Sequence, residues 1–298
     1  MMQALKGSLV ALVTPMNPDG EIDYQSLDNL IDWHIQEGTN GIVSVGTTGE
    51  SATIDFSEHI DVISHTVKYV DKRVPVIAGT GANSTSEAVD LTKEAKKVGA
   101  DCALLVTPYY NKPNQKGLIT HYTKIANSVD IPQMLYNVTS RTACDLIPES
   151  VEILSKHQNI IGIKEALNDQ TRMKELIKLT KDDGLNYFYI FSGDDGSFLD
   201  LLMLGGHGVI SVAANVVPSN ISNICRDFFG DGIKVSIKEN KRLSNLYDLL
   251  FIESNPIPVK WMLFKMGLIE NSLRLPLVNL DKKYEENIMS EMVKLKLL

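Results

Sequence analysis

Between Ser8 and about Gly232 the chain alternates short runs rich in Val, Ile and Leu with longer segments whose apolar residues recur at helical spacing. The short runs are Ser8–Thr14, Gly41–Gly46, Val74–Gly79, Cys102–Thr107, Ile131–Asn137, Ile160–Glu165, Tyr187–Ser192 and Gly208–Ala213. Between them, sets such as Leu27/Leu30/Ile31/His34, Ile60/Ile63/Val67/Val70 and Ala88/Leu91/Ala95/Val98 fall on single helix faces. Strands this continuously apolar must be buried on both faces, as in a parallel sheet wrapped by helices. Eight βα units close into one (β/α)8 TIM barrel, an α/β fold. A doubly wound open sheet is disfavoured, because Gly79-Thr-Gly81 runs on into Ala-Asn-Ser and no early strand-to-helix turn carries G-x-G-x-x-G. Beyond Gly232 the β pattern stops, and Lys234–Phe251, Pro258–Gly267 and Asp281–Leu297 read as helices entered through Pro256 and Pro258. The expected organisation is a barrel over residues 1–232 carrying the active site and a small C-terminal helical appendage over 233–298.

Charge narrows the partners. With 29 Lys+Arg against 37 Asp+Glu, the net charge of −8 offers no general attraction to nucleic acid or to anionic lipid. Cys102, Cys144 and Cys225 are scattered and lack C-x-x-C spacing, which fits a reducing, cytoplasmic setting better than a disulfide framework. The apolar run Leu9 to Val13 is too short for a signal-peptide core, and no run approaches the ~18–20 residues of a membrane span. Neither a metal nor another cofactor is expected. There is no H-E-x-x-H, and His59 and His65, six apart, face different sides of their helix. Gly46-Thr-Thr-Gly-Glu-Ser lacks the P-loop lysine, and Ser44 lacks the first glycine of G-x-S-x-G.

In a barrel of this kind the reacting groups come from the C-terminal strand ends and the loops beyond them. Lys164 is the outlier there: period-two alternation in Ile160-Ile161-Gly162-Ile163-Lys164 sends Ile161 and Ile163 toward the helices and turns Gly162 and Lys164 into the lumen. Desolvation would lower the lysine's pKa and supply the neutral amine that attacks a carbonyl, with Gly162 leaving lumen volume for a ligand. Its position alone leaves open a lysine that snorkels to solvent or pairs with a carboxylate. After the fifth strand, Tyr136 offers a phenol that can shuttle protons beside an imine, and Arg141 a guanidinium that can grip a carboxylate bidentately. Thr47-Thr48-Gly49 offers hydroxyls and backbone N–H groups ahead of a helix, suited to a small carboxylate. Singly, each also reads as structural: a satisfied core tyrosine, a surface arginine, a capping threonine turn.

Taken together, the strings Gly46-Thr-Thr-Gly-Glu50, Thr107-Pro-Tyr-Tyr-Asn111, Tyr136-Asn137 with Ser140-Arg141, Ile161-Gly-Ile-Lys-Glu165, Ser192-Gly-Asp-Asp195, Gly208-Val-Ile-Ser-Val212 and Asn255-Pro-Ile-Pro-Val-Lys260 resemble the pyruvate-dependent class I aldolases, over nearly the whole chain. Within them the chain resembles the dihydrodipicolinate synthase family. The resemblance implies a Schiff-base lyase that condenses pyruvate with L-aspartate-4-semialdehyde to 4-hydroxy-tetrahydrodipicolinate, the first committed step of diaminopimelate and lysine biosynthesis. It implies Lys164 as the imine-forming amine, Tyr136 as proton donor and acceptor, Thr47 as the hydroxyl linking onward, and Tyr110, offered across a dimer interface, as third member of the relay. Thr48 and Ile210 would contact the pyruvate portion, Gly193 would line the substrate site, and Arg141 would receive the semialdehyde carboxylate. Self-association as a homodimer or homotetramer follows from the shared relay. Thr139 stands where these synthases often have proline, implying a less rigid loop under Arg141.

Sibling lyases acting on 2-keto sugar acids such as N-acetylneuraminate share the lysine and the tyrosine, but Thr47-Thr48 with Ser140-Arg141 favours the synthase. A barrel that binds pyruvate or lysine as a sensor, without turnover, is a third reading. The resemblance further implies an allosteric cleft for L-lysine lined by Ser51, Ala52, His59, Asn83, Glu87 and Tyr109. Ser84-Thr-Ser-Glu87 also reads as a capping box, which would place Glu87 on a helix start instead. Phe56 stands where some lysine-sensitive members have histidine.

Overall fold

The computed structural model describes residues 5–180 and 188–298. Eight parallel strands, β1 (Gly7–Ala11), β2 (Gly41–Ser44), β3 (Val76–Gly79), β4 (Cys102–Val106), β5 (Gln133–Asn137), β6 (Ile160–Glu165), β7 (Tyr189–Ser192) and β8 (Gly208–Ser211), close in sequence order into a barrel. β1 pairs with both β2 and β8, which seals it. The fold is thus the expected (β/α)8 barrel. Several strands are shorter than their apolar runs: Val13 gives its N–H to Asn215 Oδ1 and Val45 turns to a φ of 52°, so both leave the ladder. The expected start of the seventh strand at Tyr187 lies outside the described residues.

Two apolar regions are separated by the strands. Inward-facing side chains, among them Leu9, Val43, Leu104, Met134, Phe191 and Ile210, fill the barrel, while the outward faces join the helices in one larger cluster. Register explains which residues face the lumen: Tyr136 of β5 stands beside Lys164 of β6, which stands beside Phe191 of β7. One expectation fails here. The pairing of β5 with β6 jumps from Gln133↔Ile160 to Met134↔Gly162, so Ile161 sits in a bulge and packs on the interior cluster instead of the helices. The extra residue resets the alternation below Gly162, and Gly162 and Lys164 keep their lumen orientation.

The C-terminal segment folds as helices Ile233–Arg242, Ser244–Leu249, Ile257–Lys265 and Lys282–Leu295. The expected single helix Lys234–Phe251 is interrupted at Leu243, where the Ser244 hydroxyl donates to the Lys241 carbonyl and competes with the helical ladder. Leu246, Val259, Met262 and Ile288 of this segment belong to the same outer apolar cluster as the barrel helices. Arg274 donates to the Gly20 carbonyl and pairs with Glu58, tying the segment to the loop after β1 and to the helix that follows β2. No helix among the described residues is long and apolar enough to cross a membrane.

Candidate active site

At the C-terminal end of β6, Lys164 is 5% exposed and its Nζ lies 4.3 Å from the centroid of the Tyr136 ring. Burial pulls its pKa down to about 7; the Asp195 carboxylate opposes the drop and the Arg141 charge adds to it. A large share of the amine is therefore in its nucleophilic form near neutral pH. Room for the lysine comes from Gly193, just past β7: a Cβ there would stand 2.8 Å from Lys164 Cε. Gly162 answers a different need from the one its sequence suggests. A Cβ on Gly162 would stand 2.5 Å from the Tyr189 carbonyl oxygen, so its missing side chain admits the neighbouring strand and leaves no free space for a ligand.

Tyr136 is 6% exposed, and burial raises its pKa while the Arg141 charge and the Thr47 hydroxyl, hydrogen-bonded to the phenol, lower it. A phenol kept protonated yet electrostatically coupled to its neighbours can lend and recover a proton. Thr47 and Thr48 follow β2 in a tight turn, and Val45 and Glu50 that flank them adopt φ of 52° and 60°. Thr48 Oγ1 accepts a 3.0 Å hydrogen bond from Asn255 Nδ2. Arg141, on the short turn Thr139–Thr142, donates from Nη2 to the Asn255 carbonyl at 3.2 Å. These groups border a cavity of about 510 Å³ lined by Thr48, Tyr136, Arg141, Lys164, Gly193 and Asn255 among others.

Of the residues singled out in the sequence, Lys164, Tyr136, Thr47, Thr48, Arg141 and Gly193 thus meet at one cavity. Ile210 lies lower, wholly buried in the barrel interior and paired with Leu9. Tyr110 does not reach the cavity of its own chain. It is 91% exposed, at φ 73°, on the loop after β4.

A second cavity of about 240 Å³ adjoins the first through Thr47 and Arg141, and Ser51, Ala52, His59, Glu87 and Tyr109 line it. Asn83 stands behind it: its backbone N–H holds the Tyr109 phenol and its carbonyl accepts from Asn111 Nδ2 at 2.8 Å. The His59 ring is anchored through Nε2 on the Gly79 carbonyl at 2.7 Å. Glu87 is not part of a capping box. The Ser84 side chain makes no cap bond and meets the Ser86 hydroxyl at 3.0 Å, and Glu87 lines the cavity. Phe56 lines the same cavity.

Several residues around the site carry no separate signal in the sequence. Asp195 accepts from Ser211 Oγ at 2.5 Å and from the N–H groups of Val212 and Ala213, and burial pushes its pKa up to about 6. Glu165, next to the lysine, is clamped by Arg172 Nε at 2.7 Å and by Asn137. Lys260 and Glu50 form a 2.6 Å ion pair with both side chains fully buried, and Lys260 also donates to the Thr14 carbonyl. Asp195, Glu165, Asn137, Glu50, Asn255 and Lys260 all occur in the quoted strings, yet only contact geometry separates their duties from mere packing.

The sequence profile of the dihydrodipicolinate synthetase family matches residues 4–295. The chain belongs to this family. It is 53% identical over 288 residues to the 4-hydroxy-tetrahydrodipicolinate synthase of Stutzerimonas stutzeri, covering 97% of each chain. Against the enzyme of the same name from Pseudomonas aeruginosa the identity is 54%, again over 97% of each. Its backbone superposes on the chloride-inhibited dihydrodipicolinate synthase of Acinetobacter baumannii, crystallised with pyruvate, with a TM-score of 0.96 at 46% identity, covering 99% of this chain and 100% of that one. The Cyanidioschyzon merolae enzyme, crystallised with lysine bound, gives a TM-score of 0.94 at 35% identity over 99% of each chain. The relatives share the synthase name, which favours the synthase over the sugar-acid lyase among the readings of the sequence.

Proposed function

We propose that this chain condenses pyruvate with L-aspartate-4-semialdehyde. Lys164 Nζ attacks the keto carbon of pyruvate and water leaves, giving the imine; loss of a methyl proton gives the enamine, whose carbon bonds to the aldehyde carbon of the second substrate. The amino group of that substrate then displaces Lys164, closing the ring of 4-hydroxy-tetrahydrodipicolinate and restoring the free amine. Tyr136 carries protons to and from these centres, Thr47 links its phenol onward, and Tyr110 of a neighbouring copy completes the relay, so turnover requires at least a dimer. Thr48, with Ile210 below, receives the pyruvate portion, Gly193 shapes the wall, and Arg141 binds the semialdehyde carboxylate. Residues 1–232 bring every reacting group, and residues 233–298 buttress them.

One observation carries this reading: a buried lysine with a pKa near 7 beside a buried tyrosine, under an arginine-rimmed cavity. Reduction with cyanoborohydride in the presence of pyruvate should add the mass of a reduced pyruvyl group at Lys164, and none in Lys164→Ala. Turnover with the semialdehyde should then be measured directly. Absence of the adduct, or a demand for a sugar aldehyde, overturns the assignment.

The second cavity supports binding of L-lysine as an inhibitor. Glu87 supplies a carboxylate for an ammonium, and Tyr109 and Ser51 supply polar contacts. Adding lysine to the same assay tests it, and Glu87→Gln should abolish any inhibition.

A further inference from the structure

The string Asn255-Pro-Ile-Pro-Val-Lys260 has no role in the chemistry above, yet both its ends grip the turn that carries Thr47 and Thr48. Lys260 holds Glu50 at one end of that turn, and Asn255 holds Thr48 in its middle. Asn255 is 5% exposed and lines the substrate cavity. Its side-chain amide donates to Thr48 Oγ1, and its backbone carbonyl separately accepts from Arg141. A threonine hydroxyl has one proton to give. When its oxygen already accepts from an amide, the proton is free to point elsewhere, and here the cavity is where an incoming carboxylate would receive it.

We infer that Asn255 is a positioning residue that fixes the polarity of the Thr48 hydroxyl, turning it into a hydrogen-bond donor toward the carboxylate of the keto acid. The inference rests on the reading of Thr48 as a pyruvate contact. It distinguishes the two substrates, because a substitution at residue 255 removes the amide that serves Thr48 but leaves the backbone carbonyl that serves Arg141. Loss of affinity should therefore fall on the keto acid and spare the aldehyde.

Asparagine and aspartate have the same shape, so Asn255→Asp isolates the direction of the hydrogen bond. The ionised side chain of N255D can only accept, whereas N255A removes the amide without adding a charge. In N255D the Thr48 hydroxyl turns to donate to the new carboxylate, whose charge also repels the substrate carboxylate. Pyruvate dependence of cyanoborohydride trapping should weaken about 10-fold in N255A and about 100-fold in N255D, while the KM for the aldehyde changes less than about 2-fold. As pH falls and the carboxyl of N255D protonates, it regains a proton to donate, so its deficit relative to wild type at each pH should shrink. In a Thr48→Val background N255A should add almost nothing, because the residue acts through Thr48. Wild type is trapped first: no adduct there defeats the reading of the active site itself. With trapping intact in wild type, equal pyruvate dependence in N255D and wild type, or equal losses for both substrates in N255A, overturns the inference alone. N255A introduces no buried charge, and its thermal unfolding profile separates loss of fold from loss of affinity.

Discussion

Replacing Gly193 with alanine tests the steric fit of the reactive lysine with a single carbon. The backbone of Gly193 is outside the positive-φ region, so an alanine meets no conformational obstacle there and acts through volume alone. Its Cβ would lie 2.8 Å from Lys164 Cε, 3.1 Å from Lys164 Cγ and 3.0 Å from Ala166 Cβ. Carbon atoms settle at about 3.5–4.0 Å, so the lysine chain must retreat by roughly 0.5–1 Å. Its Cα cannot follow, because β6 is held in register by β5 and β7. The displacement therefore accumulates toward Nζ, where about 1 Å of misplacement costs on the order of 10²-fold in rate. Overpacking adds about 1–3 kcal/mol of destabilisation. Gly193→Ala should thus lower the rate of cyanoborohydride trapping at saturating pyruvate by roughly 10- to 100-fold, with a measurable loss in thermal stability. Wild-type trapping rates in the folded variant would refute the steric account, because they would mean that the lysine has slack the packing does not reveal.

Three further expectations follow from the same geometry. With a lysine pKa near 7, the fraction of neutral amine rises as pH climbs through 7 and saturates about a unit above; trapping rates should follow, whereas a log-linear climb to pH 10 would assign the lysine an ordinary pKa. Lys260→Met leaves Glu50 buried without its cation and should destabilise the chain by about 3–5 kcal/mol in denaturant unfolding, with Lys260→Met/Glu50→Gln recovering part of the loss; an unchanged midpoint would contradict the buried pair. Tyr110→Phe and Lys164→Ala should each lose most turnover alone, yet regain activity when co-refolded, because a mixed dimer contains one site with an intact lysine and a partner's intact tyrosine. No recovery in verified mixed dimers would remove Tyr110 from the shared relay.

The barrel is legible in the sequence because its physics is periodic: buried parallel strands announce themselves as apolar runs, and helices as recurring faces. Lys164 stands out for the same reason, as a charge at a lumen position. Alternation fails where the period fails, at the Ile161 bulge, since one inserted residue in a ladder leaves no mark in composition. The capping box at Ser84 fails for a related reason: the motif has the right residues, but the Ser84 hydroxyl bonds the Ser86 hydroxyl and makes no cap bond. Gly162 and Gly193 show the limit most clearly. In the sequence the first reads as free volume beneath the lysine and the second as part of the site wall. Only coordinates reveal that a Cβ on Gly162 would strike the Tyr189 backbone, whereas one on Gly193 would strike the lysine itself. The contacts of Asn255 are beyond reach in a stronger sense, since 207 positions separate it from Thr48 along the chain. Long-range pairs of this kind are where a barrel's helical tail can act on chemistry performed at the strand ends. On the proposed function, a string such as Asn255 to Lys260 would act on the chemistry through its grip on the Thr47-Thr48 turn, without supplying a reacting atom.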